Sequence, residues 1–333
     1  MPTRSLIAFI VFLLSTNSSA GDLFDMLKRM SDADQNQNYQ GTFILRKSDK
    51  LSAIRVTHGV NEKGDWESLE ALDGEPRKIV RHNNRVISVY PDREIVTIRH
   101  TDKNRSLHPK LPENIDQLEL FYSMNRLNDD RIANLQTLVV DLMPKDQYRY
   151  GYRYWVDKNT GMLLRCDLVA EEADNKKNVI ESMMFTSLDY LSESPEPAFN
   201  MQMFEQYKQK VVDEPEIEAS NSTLPQWTVK QLPKGFMLTQ NIMRHSHLSS
   251  AAINHSSNTA KPDLLHLVYS DGLASVSVFI EKNQGAENHL RGLSSMGAVN
   301  AFGHAVDDYY VTVVGEVPVK TVQTMAQSTV NMP

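Results

Sequence analysis

A row of tyrosines is the feature of this 333-residue sequence that most directly suggests a binding surface. Tyr148, Tyr150, Tyr152 and Tyr154 stand at every second position. Successive side chains of a β-strand point to opposite faces, so a strand over Tyr148–Val156 would bring all four rings to one face. That face is either a wall of the core beneath a helix or a surface that receives an acyl chain or an apolar peptide side chain. The residues alone leave both interpretations open.

The charges argue against stacking of nucleic-acid bases on these rings. Base-stacking surfaces combine aromatic side chains with cations on a basic face. Arg149 and Arg153 would point away from the tyrosine face, and the whole chain has a net charge of −7. We therefore predict no nucleic-acid partner.

Motifs of catalysis are missing from the sequence. It contains no G-x-S-x-G, H-E-x-x-H or G-x-G-x-x-G motif and no phosphate-binding loop. Cys166 lies in an apolar alternating run, which favours a buried structural thiol over a nucleophile. His245, His247 and His255 are the best candidate metal ligands, but no cysteine or clustered carboxylate supports them. We predict a protein that is not an enzyme and has no catalytic residues, cofactor or metal.

The first 20 residues have the layout of a secretory signal peptide. Arg4 precedes the apolar run Leu6–Leu14, and Ser18-Ser19-Ala20 forms a small-x-small cleavage signal. The run is shorter than the roughly 20 apolar residues that span a membrane. A single cysteine also allows no intramolecular disulfide. The sequence therefore predicts a soluble periplasmic protein from Gly21 onward, without a lipid anchor and held together by its core.

Two different periodicities follow along the chain. Leu23, Met26, Leu27 and Met30 have the spacing of an amphipathic helix, with Asp22 as its expected N-cap. From residue 39 to residue 100 the apolar period is two, and turn residues separate the short runs. This pattern predicts an antiparallel meander, with further strands between residues 137 and 188.

A change of composition predicts two domains. Residues 193–224 are acidic, contain three prolines and are typical of an interdomain linker. The expected division is an N-terminal domain over 21–192 and a C-terminal domain over 225–333. In the latter, Asp271-Gly272 predicts a tight hairpin turn in which both central residues have positive φ. Pro318 predicts the start of a closing helix.

Several stretches resemble one family, the periplasmic sigma-E regulators called RseB or MucB. The matching runs include YQGTFILRKSDKLSAIRVTHG, WESLEALDGEPRKIVR and VVDLMPKDQYRYGYRYWVDKNTGMLLRCDLVAE, followed in the second half by LVYSDGLASVSVFIE. They occur in order over nearly the whole chain after residue 20. The LDGEPR and YRYGYR segments are the most specific.

The resemblance implies an α+β fold in two parts. The N-terminal domain would be a strongly curved antiparallel sheet, an open half-barrel around helices that is similar to the Lol lipoprotein carriers LolA and LolB. The C-terminal domain would be a smaller antiparallel sheet with helices.

The resemblance also implies a negative regulator of the envelope-stress sigma-E response. Such a protein would bind the periplasmic region of a RseA- or MucA-like anti-sigma factor and shield it from a site-1 protease of the DegS type. Lipopolysaccharide or the acyl chains of mislocalised lipoprotein would release it. On this interpretation Tyr148, Tyr150, Tyr152 and Tyr154 line an apolar ligand face. The alternative is a periplasmic lipid or lipoprotein carrier of the LolA type, and the sequence leaves open whether the chain forms a homo-oligomer.

Overall fold

A computed structural model gives the fold of this chain. It describes residues 20–62, 64–100, 117–171, 176–196, 201–212, 226–244, 264–283 and 289–332. Residues 1–19 of the predicted signal peptide (1–20) lie outside the described residues, as do His245, His247 and His255. Among the described helices, none is long and apolar enough to cross a membrane.

Helices are few in the described part of the chain. They are α1 (Ala20–Asn36), α2 (Leu118–Phe121) and α3 (Val319–Gln327), with short 3-10 turns at Pro91–Arg93 and Met201–Phe204. Helix α1 starts two residues before the expected N-cap, so Asp22 lies inside the helix and that prediction is wrong. Helix α3 begins directly after Pro318, as predicted, because proline has a helix-compatible φ and needs no backbone donor there.

The larger of two main sheets is built from the first part of the chain. Its strands are β1 (Tyr39–Lys47), β2 (Lys50–Asn61), β3 (Gly64–Ala71), β4 (Lys78–His82), β5 (Arg85–Tyr90), β6 (Ile95–His100), β7 (Tyr122–Arg126), β8 (Asp130–Ile132), β9 (Leu135–Pro144), β10 (Gly151–Asp157), β11 (Leu163–Glu171), β12 (Lys177–Tyr190) and β13 (Lys208–Val212). Their order is β13-β6-β5-β4-β3-β2-β1-β12-β11-β10-β9-β7, and β8 pairs with β9. We call this the N-terminal sheet; it is open, with β13 and β7 at its ends.

The second part of the chain forms a smaller sheet. Strands β15 (Met237–Arg244), β16 (Leu264–Ser270), β17 (Ser275–Lys282), β18 (Gly292–Met296), β19 (Val299–Val306) and β20 (Tyr309–Gly315) have the order β15-β16-β17-β20-β19-β18. Strands β14 (Gln226–Val229) and β21 (Thr329–Met332) form a separate pair. We call the six-stranded unit the C-terminal sheet. The chain is thus mostly sheet with few helices, in one large and one small unit.

Part of the predicted linker belongs to the N-terminal sheet. Strand β13 lies within residues 193–224 and pairs with β6 in parallel, from Lys208 opposite Ile95 to Val212 opposite Arg99. Phe204 and Tyr207 pack on a small apolar cluster of Ile87, Val89 and Val96. A parallel partner more than a hundred residues away in sequence leaves no local signal, which is why composition alone suggested a linker here.

Each sheet carries its own core. On the N-terminal sheet, Leu23, Met26, Leu27 and Met30 are all buried in one cluster with side chains of β1, β2 and β7 to β12, so the helical spacing read in the sequence is the packed face of α1. On the C-terminal sheet, α3 covers the valines of β17 and β20. The exposed positions of α1 between these residues, such as Lys28, face away from the core.

Replacement of Leu27 by alanine is expected to lower the free energy of unfolding by about 3 kcal/mol, because it removes a fully buried side chain and leaves a cavity. Urea unfolding followed by circular dichroism measures the change. The matched control is Lys28→Ala on the exposed side of α1, which should change the free energy by less than about 0.5 kcal/mol. Equal losses in the two variants would contradict the packing of α1 on the sheet.

Candidate functional site

A cavity of about 480 Å³ lies on the face of the N-terminal sheet that carries the core. Twelve of its lining residues come from strands β1 to β3 and β10 to β12, and two, Leu273 and Glu316, come from the loops of the C-terminal sheet. The lining residues are Phe43, Leu45, Lys47, Ile54, Leu69, Tyr152, Tyr154, Cys166, Leu168, Glu181, Ser182, Met183, Leu273 and Glu316. The cavity is therefore bounded by both units of the chain.

Two of the four predicted site tyrosines form part of the cavity wall. Tyr152 and Tyr154 are buried, and their rings stack with centroids 5.8 Å apart and planes 5° from parallel. Burial raises the pKa of both phenols well above the usual value, so both stay neutral at physiological pH. They give the cavity a flat, uncharged aromatic side that suits an apolar group.

The other two tyrosines lie against the C-terminal unit instead. The Tyr148 carbonyl accepts a hydrogen bond of 2.6 Å from Thr321 Oγ1, and Lys320 Nζ lies 5.2 Å from the Tyr148 ring centroid. The Tyr150 hydroxyl accepts a hydrogen bond of 3.1 Å from Asn300 Nδ2. These two residues are contacts between the units rather than cavity lining.

The row is divided because β10 begins only at Gly151. Residues 145–149 form a bend in which the Tyr148 N–H donates to Asp146 Oδ1 at 2.9 Å. The prediction of one strand over Tyr148–Val156 is therefore wrong for its first three residues. The strict alternation of tyrosines continues through the bend, so the sequence pattern does not reveal where the strand starts.

Charged side chains occupy one side of the cavity. Lys47 Nζ lies 3.3 Å from Glu181 Oε2, and the backbone N–H of Ala298 donates to Glu181 Oε1 at 3.4 Å. Desolvation raises the pKa of the Glu316 carboxyl, and the negative charge of Glu181 raises it further. The cavity thus combines an apolar, aromatic wall with a small polar rim, a lining suited to an amphipathic ligand.

Cys166 is the single cysteine of the chain and lies in the cavity wall. Burial is the largest cause of the strong rise in the pKa of its thiol. Since the thiolate is the reactive form, this environment favours an inert thiol. Among the residues that the structure describes, no three His, Cys, Asp or Glu side chains come together in a way that would hold a metal.

A buried arginine joins the two units of the chain. The Arg149 side chain is 0% exposed, and its guanidinium carbon lies 5.1, 5.5 and 5.1 Å from the ring centroids of Phe121, Tyr122 and Phe236. Phe121 and Tyr122 precede and begin β7, whereas Phe236 precedes β15. The cation is therefore enclosed by aromatic rings from both sheets.

The Arg149 guanidinium makes polar contacts with Asp271, Asp146 and the Lys234 carbonyl. Arg149 Nη1 lies 2.5 Å from Asp271 Oδ2, whose side chain is also 0% exposed, and Nη2 donates to the Lys234 carbonyl at 2.6 Å. Arg149 Nη2 also forms an ion pair with Asp146 Oδ2 at 3.0 Å. The Tyr122 hydroxyl donates a hydrogen bond to Asp271 Oδ2 at 3.0 Å. We call Arg149, Asp271, Tyr122, Asp146 and the Lys234 carbonyl the junction network.

The Asp271-Gly272 turn differs from its prediction for a reason that this network explains. Only Gly272 has positive φ (+100°); Asp271 does not, so the two-residue turn with two positive φ values is wrong. Asp271 Oδ1 instead accepts the N–H groups of Leu273 and Ala274 at 2.9 and 2.8 Å. One carboxylate oxygen holds the turn while the other binds Arg149, so the same side chain shapes the hairpin and attaches it to the N-terminal sheet.

Sequence reasoning missed the role of Arg149. Alternation placed it on a polar face opposite the tyrosines, and its fully buried ionic partner Asp271 lies 122 positions further along the chain. No local pattern indicates such a pair. Asp271 was identified only as a turn residue.

This chain is similar to known proteins over nearly its whole length. Residues 22–211 match the family model described as the MucB/RseB N-terminal domain, and residues 221–330 match the MucB/RseB C-terminal domain. The sigma factor AlgU regulatory protein MucB of Pseudomonas aeruginosa is 29% identical over 341 residues, which covers 98% of this chain and 97% of that protein. The sigma-E factor regulatory protein RseB of Haemophilus influenzae is 24% identical over 335 residues and covers 98% of each.

A solved structure matches as well. The crystal structure of MucB in complex with MucA(peri) superposes with a TM-score of 0.67 at 28% identity, covering 94% of this chain and 99% of that chain.

Replacement of Asp271 by asparagine is expected to lower the free energy of unfolding by about 3 kcal/mol, because it leaves the Arg149 charge buried without its main partner. Asparagine keeps an oxygen for the turn, so the change isolates the charge. The matched control is Glu70→Gln in the exposed pair with Arg55 (2.8 Å; side chains 45% and 55% exposed), which should cost less than about 1 kcal/mol. Urea unfolding measures both free energies. If Asp271→Asn and Glu70→Gln lowered the free energy of unfolding by similar amounts, a stabilising role of the buried pair would be contradicted.

The Cys166 thiol is expected to react with a thiol reagent at pH 8 roughly a hundred times or more slowly in the native protein than in the urea-unfolded chain, because burial disfavours the thiolate. The single cysteine makes the measurement unambiguous. Comparable rates would show that the cavity wall is open to solvent at this point.

Proposed function

This chain belongs to the MucB/RseB family, and from that premise we propose that it is a regulator that binds an anti-sigma factor. The observation that carries the proposal is the match to MucB in complex with MucA(peri), which extends over both units of the chain. The partner would be the periplasmic segment of a membrane-spanning anti-sigma factor of the MucA or RseA type. The site of action would be the periplasm, in agreement with the signal peptide that the first 20 residues predict.

The proposed effect is negative regulation by shielding. While bound, the protein would keep the anti-sigma segment from the site-1 protease, and the sigma factor would stay sequestered. Lipopolysaccharide or the acyl chains of a mislocalised lipoprotein would favour the free form and release the partner. Linkage requires that a ligand which lowers the affinity for the partner is itself bound more weakly in the complex by the same factor.

The cavity supports a role for an apolar ligand. Its wall includes Tyr152, Tyr154 and Leu168, and its rim carries Lys47 and Glu181. We infer that an acyl chain occupies it. Tyr148 and Tyr150, which lie against the C-terminal unit, would act on the ligand only through the junction between the units.

The half-barrel shape that the family resemblance implies is supported by the reach of the cavity. Its lining runs across six neighbouring strands, from β3 to β10 in the sheet order. Side chains from both ends of this six-strand stretch, Leu69 of β3 and Tyr152 of β10, border the same cavity. We infer that the N-terminal sheet curves around the cavity.

The contacts of Leu273 offer a route from ligand to partner. Leu273 lines the cavity and lies two residues after Asp271 in the junction network. An occupant that displaces Leu273 would act on the Asp271 turn and so on Arg149. We propose that the junction network transmits occupancy of the cavity to the arrangement of the two sheets.

A lipid or lipoprotein carrier is the second candidate function, and the cavity also motivates it. A carrier would need only the N-terminal unit, whereas Leu273 and Glu316 of the C-terminal unit complete this cavity. Transfer of a diacylated lipoprotein between vesicle populations separates the two functions. Transfer without binding of the anti-sigma segment would favour the carrier.

The purified protein at saturating concentration is expected to slow cleavage of the anti-sigma periplasmic segment by the site-1 protease, and added lipopolysaccharide should restore cleavage. Gel-based rates of product formation measure both effects. A heat-unfolded sample of the same protein serves as the control for non-specific protection. Unchanged cleavage at saturation would contradict the proposed function.

Acyl ligands are expected to slow the labelling of Cys166 further, since the thiol lies in the cavity wall. The probes are lipopolysaccharide and a diacylated lipopeptide, with a deacylated lipopeptide as the matched control. If acylated and deacylated probes give the same rate, the cavity is not the acyl site.

A further inference from the structure

The outer side of the junction between the two units carries exposed apolar side chains. The Phe121 ring packs on Gly235, where a Cβ atom would lie only 2.5 Å from Cζ of the ring. Leu120 and Met237 stand within two residues of this contact and are 67% and 58% exposed, and Leu238 is 49% exposed. Met237 and Leu238 are consecutive residues of β15 and therefore lie on opposite faces of the C-terminal sheet, where a strand added to its edge could cover both.

The exposed charges around this contact are mainly positive. Three exposed lysines lie at the junction: Lys145, Lys234 and Lys320. The backbone N–H of Lys145 donates to the Phe121 carbonyl, and the backbone carbonyl of Lys234 accepts from Arg149. The Lys320 ammonium lies over the Tyr148 ring. The nearby carboxylates of Asp146 and Asp271 are bound to Arg149. Glu119 is the exposed acid next to Leu120.

This basic surface contrasts with the chain as a whole, which has a net charge of −7. A local excess of cations on an acidic protein steers and selects a partner of opposite charge. The charge pattern therefore indicates an acidic partner.

Two sheet edges reach the same junction. Strand β7, which follows Phe121, is an edge strand of the N-terminal sheet. Strand β15, which follows Phe236, is an edge strand of the C-terminal sheet. Within the described ranges, β15 has a strand partner on one side only, β16, and its pairing from Gln240 to Arg244 is regular. Such an edge offers backbone N–H and C=O groups that an extended peptide can pair with.

We propose that the anti-sigma segment docks at this junction as an extended strand added to β15, with apolar side chains on Leu238 and Met237 and acidic side chains near Lys234. The proposal rests on the proposed function and specifies where its partner binds. A segment bound here would lie next to the junction network, since the Lys234 carbonyl accepts a hydrogen bond from Arg149.

The test is the binding of a fluorescent anti-sigma periplasmic segment to the full protein, measured by anisotropy. Leu238→Glu is expected to weaken binding by about tenfold or more, because it places a charge in the centre of the contact. Lys234→Glu should weaken it by about threefold to tenfold and reduce its dependence on salt. The Lys234 side chain is exposed and only its carbonyl contacts Arg149, so this variant should fold normally.

The matched control is Met296→Glu on β18, the opposite edge of the C-terminal sheet, where the side chain is 78% exposed. Its affinity should equal that of the unmodified protein. Urea unfolding and Cys166 labelling verify that each variant keeps its fold and its cavity.

The outcomes separate this inference from the proposed function. No binding by the unmodified protein would overturn both. If Leu238→Glu and Lys234→Glu leave the affinity unchanged, the docking site alone is overturned. If Met296→Glu loses binding, the partner binds at β18 and the docking site at β15 is overturned. If Leu238→Glu alters the sedimentation of the protein by itself, the surface pairs with a second copy, which also overturns the proposal.

Discussion

A fully buried positive charge holds the two units of this protein together. Taking a guanidinium out of water costs several kcal/mol unless it is paired and hydrogen-bonded, so Arg149 fixes its surroundings tightly. It needs Asp271 from one sheet, Asp146 from its own loop and the Lys234 carbonyl, and aromatic rings close the remaining space. The two sheets therefore cannot shift relative to each other without exposing or unpairing this charge.

Two different surfaces depend on that arrangement. On one side, Leu273 and Glu316 complete a cavity whose other walls belong to the N-terminal sheet. On the other side, Phe121 meets Gly235 and brings two open sheet edges to one place. A regulator that senses a ligand on one surface and holds a protein on another needs a bistable element between them. The junction network lies between the two units, so the proposed coupling would have to pass through it.

The sequence predicted the local elements well and the long-range contacts poorly. Residues 39–100 form consecutive antiparallel strands as predicted, because clear alternation and short turns define them, and the apolar face of α1 is the packed one. The division of the tyrosine row was not predictable, since the alternation continues through the bend before Gly151. The role of Arg149 was not predictable either. Arg149 and Asp271 are 122 positions apart in the sequence, and an ion pair formed by tertiary structure leaves no periodic signal.

Strand β13 has a practical consequence for dissecting the molecule. A fragment ending at residue 192 would lack the parallel neighbour of β6 and the rings of Phe204 and Tyr207 that cover Ile87, Val89 and Val96. It would carry a bare hydrophobic strand edge, the feature that drives intermolecular sheet growth and inclusion bodies. An isolated N-terminal fragment should therefore extend through Val212, so that it contains all of β13 and the edge of β6 stays paired.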